Sequence, residues 1–428
     1  MKRRVLLVLL LVVFLVPAAI VGHQLVSDPG SDVASVPVAD AGAQVERGRY
    51  LARAGNCMAC HTARGGAGYA GGRAIVTPFG RIYASNITPD RDTGIGTWTA
   101  DDFWRALHNG KSKDGSFLYP AFPYPNYTKV TRADADALYA YLRTVAPVKQ
   151  ANREHELRFP YDRRLLLAFW RTLYFRPGSF VPEPDRSVEW NRGAYLVQGL
   201  GHCSACHTAR NALGGTVADT DLAGGMIPML DWYASSLTSH PKTGLGDWPA
   251  GDLATLLRHG VSQRGAVYGP MAEVVAGSLQ HLTAQDVTSM ALYLKSLPAH
   301  DAEPRGGAVK ESGDEEAILK LGAKLYADHC ASCHMKDGRG APPAYPPLAG
   351  SRTLASHSPV NPIRIVLNGG YPPSTSGNPR PYGMPPFGFM LNDREIAAVV
   401  SYARRTWGQR QELVSPVDVA RFRGSSIE

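Results

Sequence analysis

The stretch "RGRYLARAGNCMACH" runs from Arg47 to His61, and its last five residues decide how the chain is read. Two cysteines, Cys57 and Cys60, stand three positions apart, and His61 follows the second directly. The pentapeptide returns as "CSACH" (Cys203, Cys206, His207) and as "CASCH" (Cys330, Cys333, His334). All six cysteines of the 428-residue chain fall in these three copies. C-x-x-C-H is the attachment sequence for c-type haem. Two thiols on about one helical turn can form thioethers to the two vinyl groups of one porphyrin, and the adjacent imidazole then stands beneath the iron as its proximal ligand. The reading calls for three covalently attached haem c groups, each with its iron.

Other uses of the cysteines fit less well. A structural zinc site needs a second ligand pair close by, and none of the copies has one. A thioredoxin-type dithiol explains neither the histidine after every copy nor the threefold use. Three disulfides would be the default for six cysteines in an exported chain, but they would not place a histidine after every second cysteine.

A larger frame recurs around the pentapeptides. Upstream, "RGRYLARAGNC", "RGAYLVQGLGHC" and "LGAKLYADHC" each carry a glycine (Gly48, Gly193, Gly322) in a short helical stretch. Downstream, each unit closes with an amphipathic helix opened by a capping residue, at Thr131, Thr283 and Asn392. Tyr141, Tyr293 and Tyr402 share one place in these helices, seven residues after Asp134, Asp286 and Glu395. Whole-unit repetition organises the chain. The expected fold is all-α, with three tandem cytochrome c-type domains and loop-rich connections. The boundaries read as an export or anchor segment at 1–25, a small-residue linker at 26–43, domain 1 at 44–150 and an inter-domain segment with an apolar helix at 151–187. Domain 2 then spans 188–299, a polar linker 300–313, domain 3 314–410 and a tail 411–428. The apolar helix, centred on Leu165–Phe175, reads as wedged between two units in preference to docking on a partner or membrane.

Composition agrees with globular material: 44% hydrophobic, 19% charged, with 44 Gly and 32 Pro for loops and turns. The net charge of +8 comes without blocks of interleaved basic and aromatic residues, so no nucleic-acid partner is expected. The N-terminus, "MKRRVLLVLLLVVFLVPAAIVGHQ", pairs a basic start with an apolar run from Val5 to about Gly22, which is an export signal. At roughly 18 residues the run lies between a long signal-peptide core and a minimal membrane span, leaving cleavage and anchoring both open. Lys2, Arg3 and Arg4 put the remaining chain outside the cytoplasm.

A proximal histidine leaves a sixth position on the iron, where methionine gives the high-potential centres of electron-transfer cytochromes. Met271 in "VYGPMAE" and Met384 in "RPYGMPPF" fit a loop ahead of the closing helix. Met290 lies in a closing helix, Met335 follows its own proximal histidine, Met226 and Met229 lie far upstream, and Met390 reads as core. The first unit has Phe122 where the others have methionine, and its single methionine, Met58, sits inside the attachment site. Its sixth position is left to His108, to a weak ligand, or to none, with Phe122 over the haem face. Trp98 in "TGIGTW" and Trp248 in "TGLGDW" read as core residues with a polar N–H, a propionate contact being the alternative.

These units behind an export segment, with "NIT…TGIGTW", "DGSFLYPAFPYPNYTKVT" and "GHCSACHTARNALGG", resemble the tri-haem cytochrome c subunit of membrane-associated periplasmic dehydrogenases acting on alcohols, sugars or aldehydes. The resemblance covers nearly all the chain after residue 44. It implies a non-catalytic subunit on the periplasmic side of the bacterial inner membrane. Electrons would arrive from a flavin, quinoprotein or molybdenum subunit and leave to quinone or a terminal oxidase. It carries Met271 and Met384 over as distal ligands. Phe122 departs from the methionine form of the first loop, a departure associated with relatives of molybdenum enzymes that oxidise aldehydes or N-heterocycles. The rivals are a peroxidase-type haem enzyme with an open first haem, and a free soluble shuttle.

Overall fold

The computed structural model describes residues 2–30, 33–35, 40–300 and 315–424, with side chains from residue 14 onward. Residues 301–314, which hold nearly all of the expected second linker, lie outside the described residues. The chain divides into two compact units. The first holds residues 1–183 with 195–202 and 211–215, and the second holds 184–194, 203–210 and 216–428.

The first unit is built on two helices, Ala41–Ala54 and Arg132–Leu142. Asp40 opens the first by accepting from Ala43 N, and Thr131 opens the second by accepting from Asp134 N. Each cap satisfies an orphan N–H of a first turn. Arg47 pairs with Asp134 across them at 2.5 Å. The helices cross at Gly48, where a Cβ would lie 1.9 Å from Ala137 O. Leu51, Trp104, Leu107, Tyr127, Val130 and Leu138 fill the core beside them, each burial contributing roughly 1.5–3 kcal/mol. Leu200 joins the same core, and Tyr195 Oη donates to Asp134 Oδ2 at 2.6 Å.

The helix Leu167–Tyr174 buries Ala168 and Arg171. Trp170 Nε1 donates to Leu213 O at 3.0 Å, and Arg171 Nη1 donates to Asn109 O at 2.6 Å. These bonds tie the helix into this unit, while Leu173 and the preceding Leu165 and Leu166 stay exposed.

The N-terminal segment is helical along its backbone from Lys2 to Val26. The side chains of residues 1–13 lie outside the described residues, and among those described no helix is long and apolar enough to cross a membrane. Part of the expected linker at 26–43 is tied to the domain. Lys111 Nζ donates to Leu25 O, Ser27 O and Asp28 Oδ1 at 3.0, 2.9 and 2.6 Å, and Trp104 Nε1 donates to Gly30 O at 3.1 Å.

The second unit repeats the two-helix design. Val188–Gln198 meets Ala284–Ser296, with Arg192 bonded to both carboxylate oxygens of Asp286 at 2.8 Å. Gly193 lies under Ser289 O, 1.9 Å from a Cβ built on the glycine. Glu315–His329 meets Asp393–Gly408 over Gly322, where the same measure to Ala398 O is 2.3 Å. Glu395 here closes a capping box with Asn392. Leu321 stands where the other copies have an arginine. The tail, from which the sequence reading drew nothing, forms Pro416–Arg423 behind a Ser415/Asp418 capping box and buries Val419 and Phe422 in the third core.

The all-α expectation needs one correction. A three-stranded antiparallel sheet joins 74–77, 80–83 and 156–157, with Ala74 opposite Tyr83, and two hairpins lie at 225–234 and 261–266. The β-branched run "AIVT" before a Pro-Phe turn supplies strand propensity that the helix-centred repeat concealed.

Candidate functional site

Each attachment motif folds as one helical turn at the end of its opening helix. The amide of the histidine donates to the carbonyl of the first cysteine in all three: His61 to Cys57 at 3.0 Å, His207 to Cys203 and His334 to Cys330 at 2.9 Å. This turn brings the two sulfurs of a pair to one side. No disulfide joins any of the six. Burial pushes the Cys57 and Cys203 thiols up to about 12 and the Cys330 thiol to about 11. Such burial disfavours the activated thiolate that a redox dithiol needs.

The three imidazoles share an orientation that the sequence reading missed. His61 Nδ1 lies 2.7 Å from Ser85 O, His207 Nδ1 2.7 Å from Ser235 O, and His334 Nδ1 3.0 Å from Pro346 O. A carbonyl can only accept, so Nδ1 carries the proton and Nε2 presents its lone pair to a metal. Burial lowers the pKa of all three rings, that of His207 to about 4, which keeps them neutral. A glycine N–H holds each histidine carbonyl as well: Gly71 on His61 O and Gly224 on His207 O at 2.8 Å, Gly340 on His334 O at 3.0 Å. The paired segments "YASNIT" (83–88) and "YASSLT" (233–238) were the available signal.

Around the third attachment motif the residues expected as ligands share one cleft. The cleft is lined by Cys330, His334 and Met384 together with Tyr326, Leu348 and Val400. Met384 is held by a two-bond bridge, Met384 N to Gly370 O at 2.8 Å and Gly370 N to Met384 O at 3.0 Å. An apolar slot with an imidazole lone pair, a thioether and the Cys330 thiol suits a porphyrin and its iron. Met271 lies in the first turn of the helix Pro270–Gly277, where the sequence reading expected a loop. Gly269 caps that helix with φ of 56° and packs against Trp232. Among the rival methionines, Met58, Met226, Met229, Met335 and Met390 are exposed and Met290 is core.

In the first unit Phe122 packs in the same core as Cys57, its ring 5.2 Å from that of Tyr127. His108 is buried elsewhere in that unit's packing. Its ring stacks on Trp104 at 4.3 Å, its Nδ1 lies 3.5 Å from Thr128 Oγ1, and a Cβ on Gly30 would lie 3.0 Å from its Nε2. Trp98 packs beside Tyr69, Ile95 and Leu142, and its carbonyl accepts from Tyr139 Oη.

Helix-borne thiol pairs beside oriented imidazoles define a c-type cytochrome, whose chemistry is one-electron transfer. A model of the cytochrome c family matches residues 45–146 and 319–407. The gluconate 2-dehydrogenase cytochrome c subunit of Pantoea cypripedii is 43% identical over 399 residues, covering 89% of this chain and 90% of that one. The alcohol dehydrogenase (quinone) cytochrome c subunit of Gluconobacter oxydans is 40% identical, covering 89% of this chain and 82% of that one. The fructose dehydrogenase cytochrome subunit of Gluconobacter japonicus is 37% identical over 405 residues, covering 89% of this chain and 82% of that one. The chain belongs to the family of cytochrome c subunits of dehydrogenases.

Proposed function

We propose that the chain carries three covalent haems, at Cys57/Cys60, Cys203/Cys206 and Cys330/Cys333, and relays electrons from a separate dehydrogenase subunit toward quinone or a terminal oxidase. The observation that carries this reading is the threefold recurrence of a carbonyl-oriented imidazole one residue after a thiol pair. His61, His207 and His334 are the proximal ligands, and Met271 and Met384 the distal ligands of the second and third sites. When bound, haem supplies reversible Fe(III)/Fe(II) cycling. The protein's part is to fix the imidazole tautomer, to exclude water with apolar walls, and to set the potential with a thioether that prefers the softer reduced iron.

The first site differs because Phe122 offers no lone pair and His108 would have to leave its stack on Trp104 to reach an iron. The named relatives serve gluconate, alcohol and fructose dehydrogenases, which supports a dehydrogenase partner and does not favour the peroxidase reading. Export through the N-terminal segment would place the relay on the periplasmic face of the inner membrane, with residues 1–25 as cleaved signal or anchor.

Pyridine haemochrome analysis with intact mass of the purified chain tests the reading. Three haems per polypeptide are expected, and fewer would overturn it. The dehydrogenase that co-purifies from membranes should reduce the haems on addition of its substrate, and a chain that purifies alone would speak for a free shuttle.

A further inference from the structure

The third domain places a cation at the second attachment site. Arg352 opens the short helix Arg352–Ala355. Its Nη1 donates to Ser236 O at 3.0 Å, and its Cζ lies 4.8 Å from the ring centroid of Trp248. The carbonyl one residue earlier, Ser235 O, is the one that accepts from His207 Nδ1 at 2.7 Å. Among the described residues no carboxylate pairs with Arg352.

We infer that Arg352 is the fixed counter-cation of the second haem, supplied by the third domain, and that it raises that haem's reduction potential. The inference rests on Cys203–His207 being a haem site. Oxidising the iron adds one positive charge, and a guanidinium that neutralises a propionate beside a poorly solvated site removes negative charge that would otherwise favour the oxidised iron. The indole face of Trp248 lowers the cost of desolvating the cation. Ser236 O takes one of the five donors of the guanidinium, leaving others free for an anionic propionate, the only anion the cofactor brings. Burial lowers the Arg352 pKa to about 10, so the group stays charged at neutral pH.

The test is a spectroelectrochemical titration of the holoprotein as wild type, Arg352→Gln and Arg352→Lys. In Arg352→Gln one of the three components should shift toward the oxidised form by about tenfold in the Fe(III)/Fe(II) ratio at fixed potential, about 59 mV for one electron. Arg352→Lys should restore most of the shift. The component is assigned with Cys203→Ala/Cys206→Ala, whose titration should lack it. Should that variant fail to fold, the contrast between Gln and Lys still decides. Three unmoved components, an equal shift in both variants, or a shift confined to the third haem would each overturn the inference. Intact mass separates this from failure of the parent reading: three haems with no shift defeats the role of Arg352 alone, whereas an unmodified Cys203/Cys206 pair defeats the haem site itself.

Discussion

Gly193 lies so close beneath Ser289 that a Cβ on the glycine would sit 1.9 Å from the Ser289 carbonyl oxygen. Gly48 under Ala137 and Gly322 under Ala398 repeat the relationship at 1.9 and 2.3 Å. The opening and closing helices therefore meet backbone to backbone, and nothing larger than hydrogen fits between them. This crossing sets the wall against which each attachment turn is built.

Gly48→Ala and Gly193→Ala should force the helix pairs apart. Overpacking of this kind costs about 1–3 kcal/mol and more where backbone blocks relief, against a gain of about 1 kcal/mol in helix propensity. A net loss of about 2 kcal/mol is expected at each, and less at Gly322→Ala. Denaturant unfolding of the holoprotein checks the ranking, and an unchanged midpoint in all three would contradict the crossing geometry.

Removing the thioethers should be a chemical change more than a structural one. Met384→Leu and Met271→Leu nearly conserve volume, which limits the folding cost to about 1.5 kcal/mol. Each should abolish the sulfur-to-iron charge-transfer absorption of one haem, lower its potential and let it bind cyanide. Retention of that absorption in Met271→Leu would remove Met271 from the ligand set.

The first site invites the opposite change. Phe122→Met supplies a lone pair at the position homologous in the repeat to the other two methionines. It should add a sulfur-to-iron absorption and diminish exogenous ligand binding at one haem, as ultraviolet–visible and EPR spectra would show.

His108 provides a pH test. Burial lowers its pKa from 6.5 to about 4, so the folded state resists a proton that the unfolded chain accepts. Its stability contribution is fully present above the unfolded pKa of 6.5, falls as pH drops toward 4, and is lost below it. The loss is at most about 3 kcal/mol by linkage. His108→Leu should flatten that part of the acid limb of thermal stability while leaving the haem spectra unchanged. A spectral change would make His108 an iron ligand.

Lys111 offers a last test, on the segment after the N-terminal helix. Asp28→Asn removes the carboxylate 2.6 Å from a buried ammonium and should cost about 1–3 kcal/mol. The chain near residues 25–30 should then become more protease-sensitive, as limited proteolysis with mass mapping would reveal.

How much could be read in advance differs from site to site. The attachment motifs, the capped closing helices at Thr131, Thr283 and Asn392, and the recurring glycines were all legible. The hairpin at 74–83 and the Ser415/Asp418 cap had local signals that the search for helical repeats passed over. The side-chain partners of Arg47 and Arg192 were half visible, since Asp134 and Asp286 stood out by their place in the repeat.

By itself the sequence determined the attachment chemistry and the threefold recurrence of its motif, because thioether formation and proximal ligation need only five contiguous residues whose spacing is set by one helical turn. Only the tertiary structure decided which carbonyls orient the imidazoles, that Met384 shares a cleft with His334, that His108 is buried against Thr128 and Gly30, and that Arg352 stands beside Ser236. Several of those relationships join residues from 12 to more than 100 positions apart. Their geometry follows from how the helices pack, which no local spacing encodes.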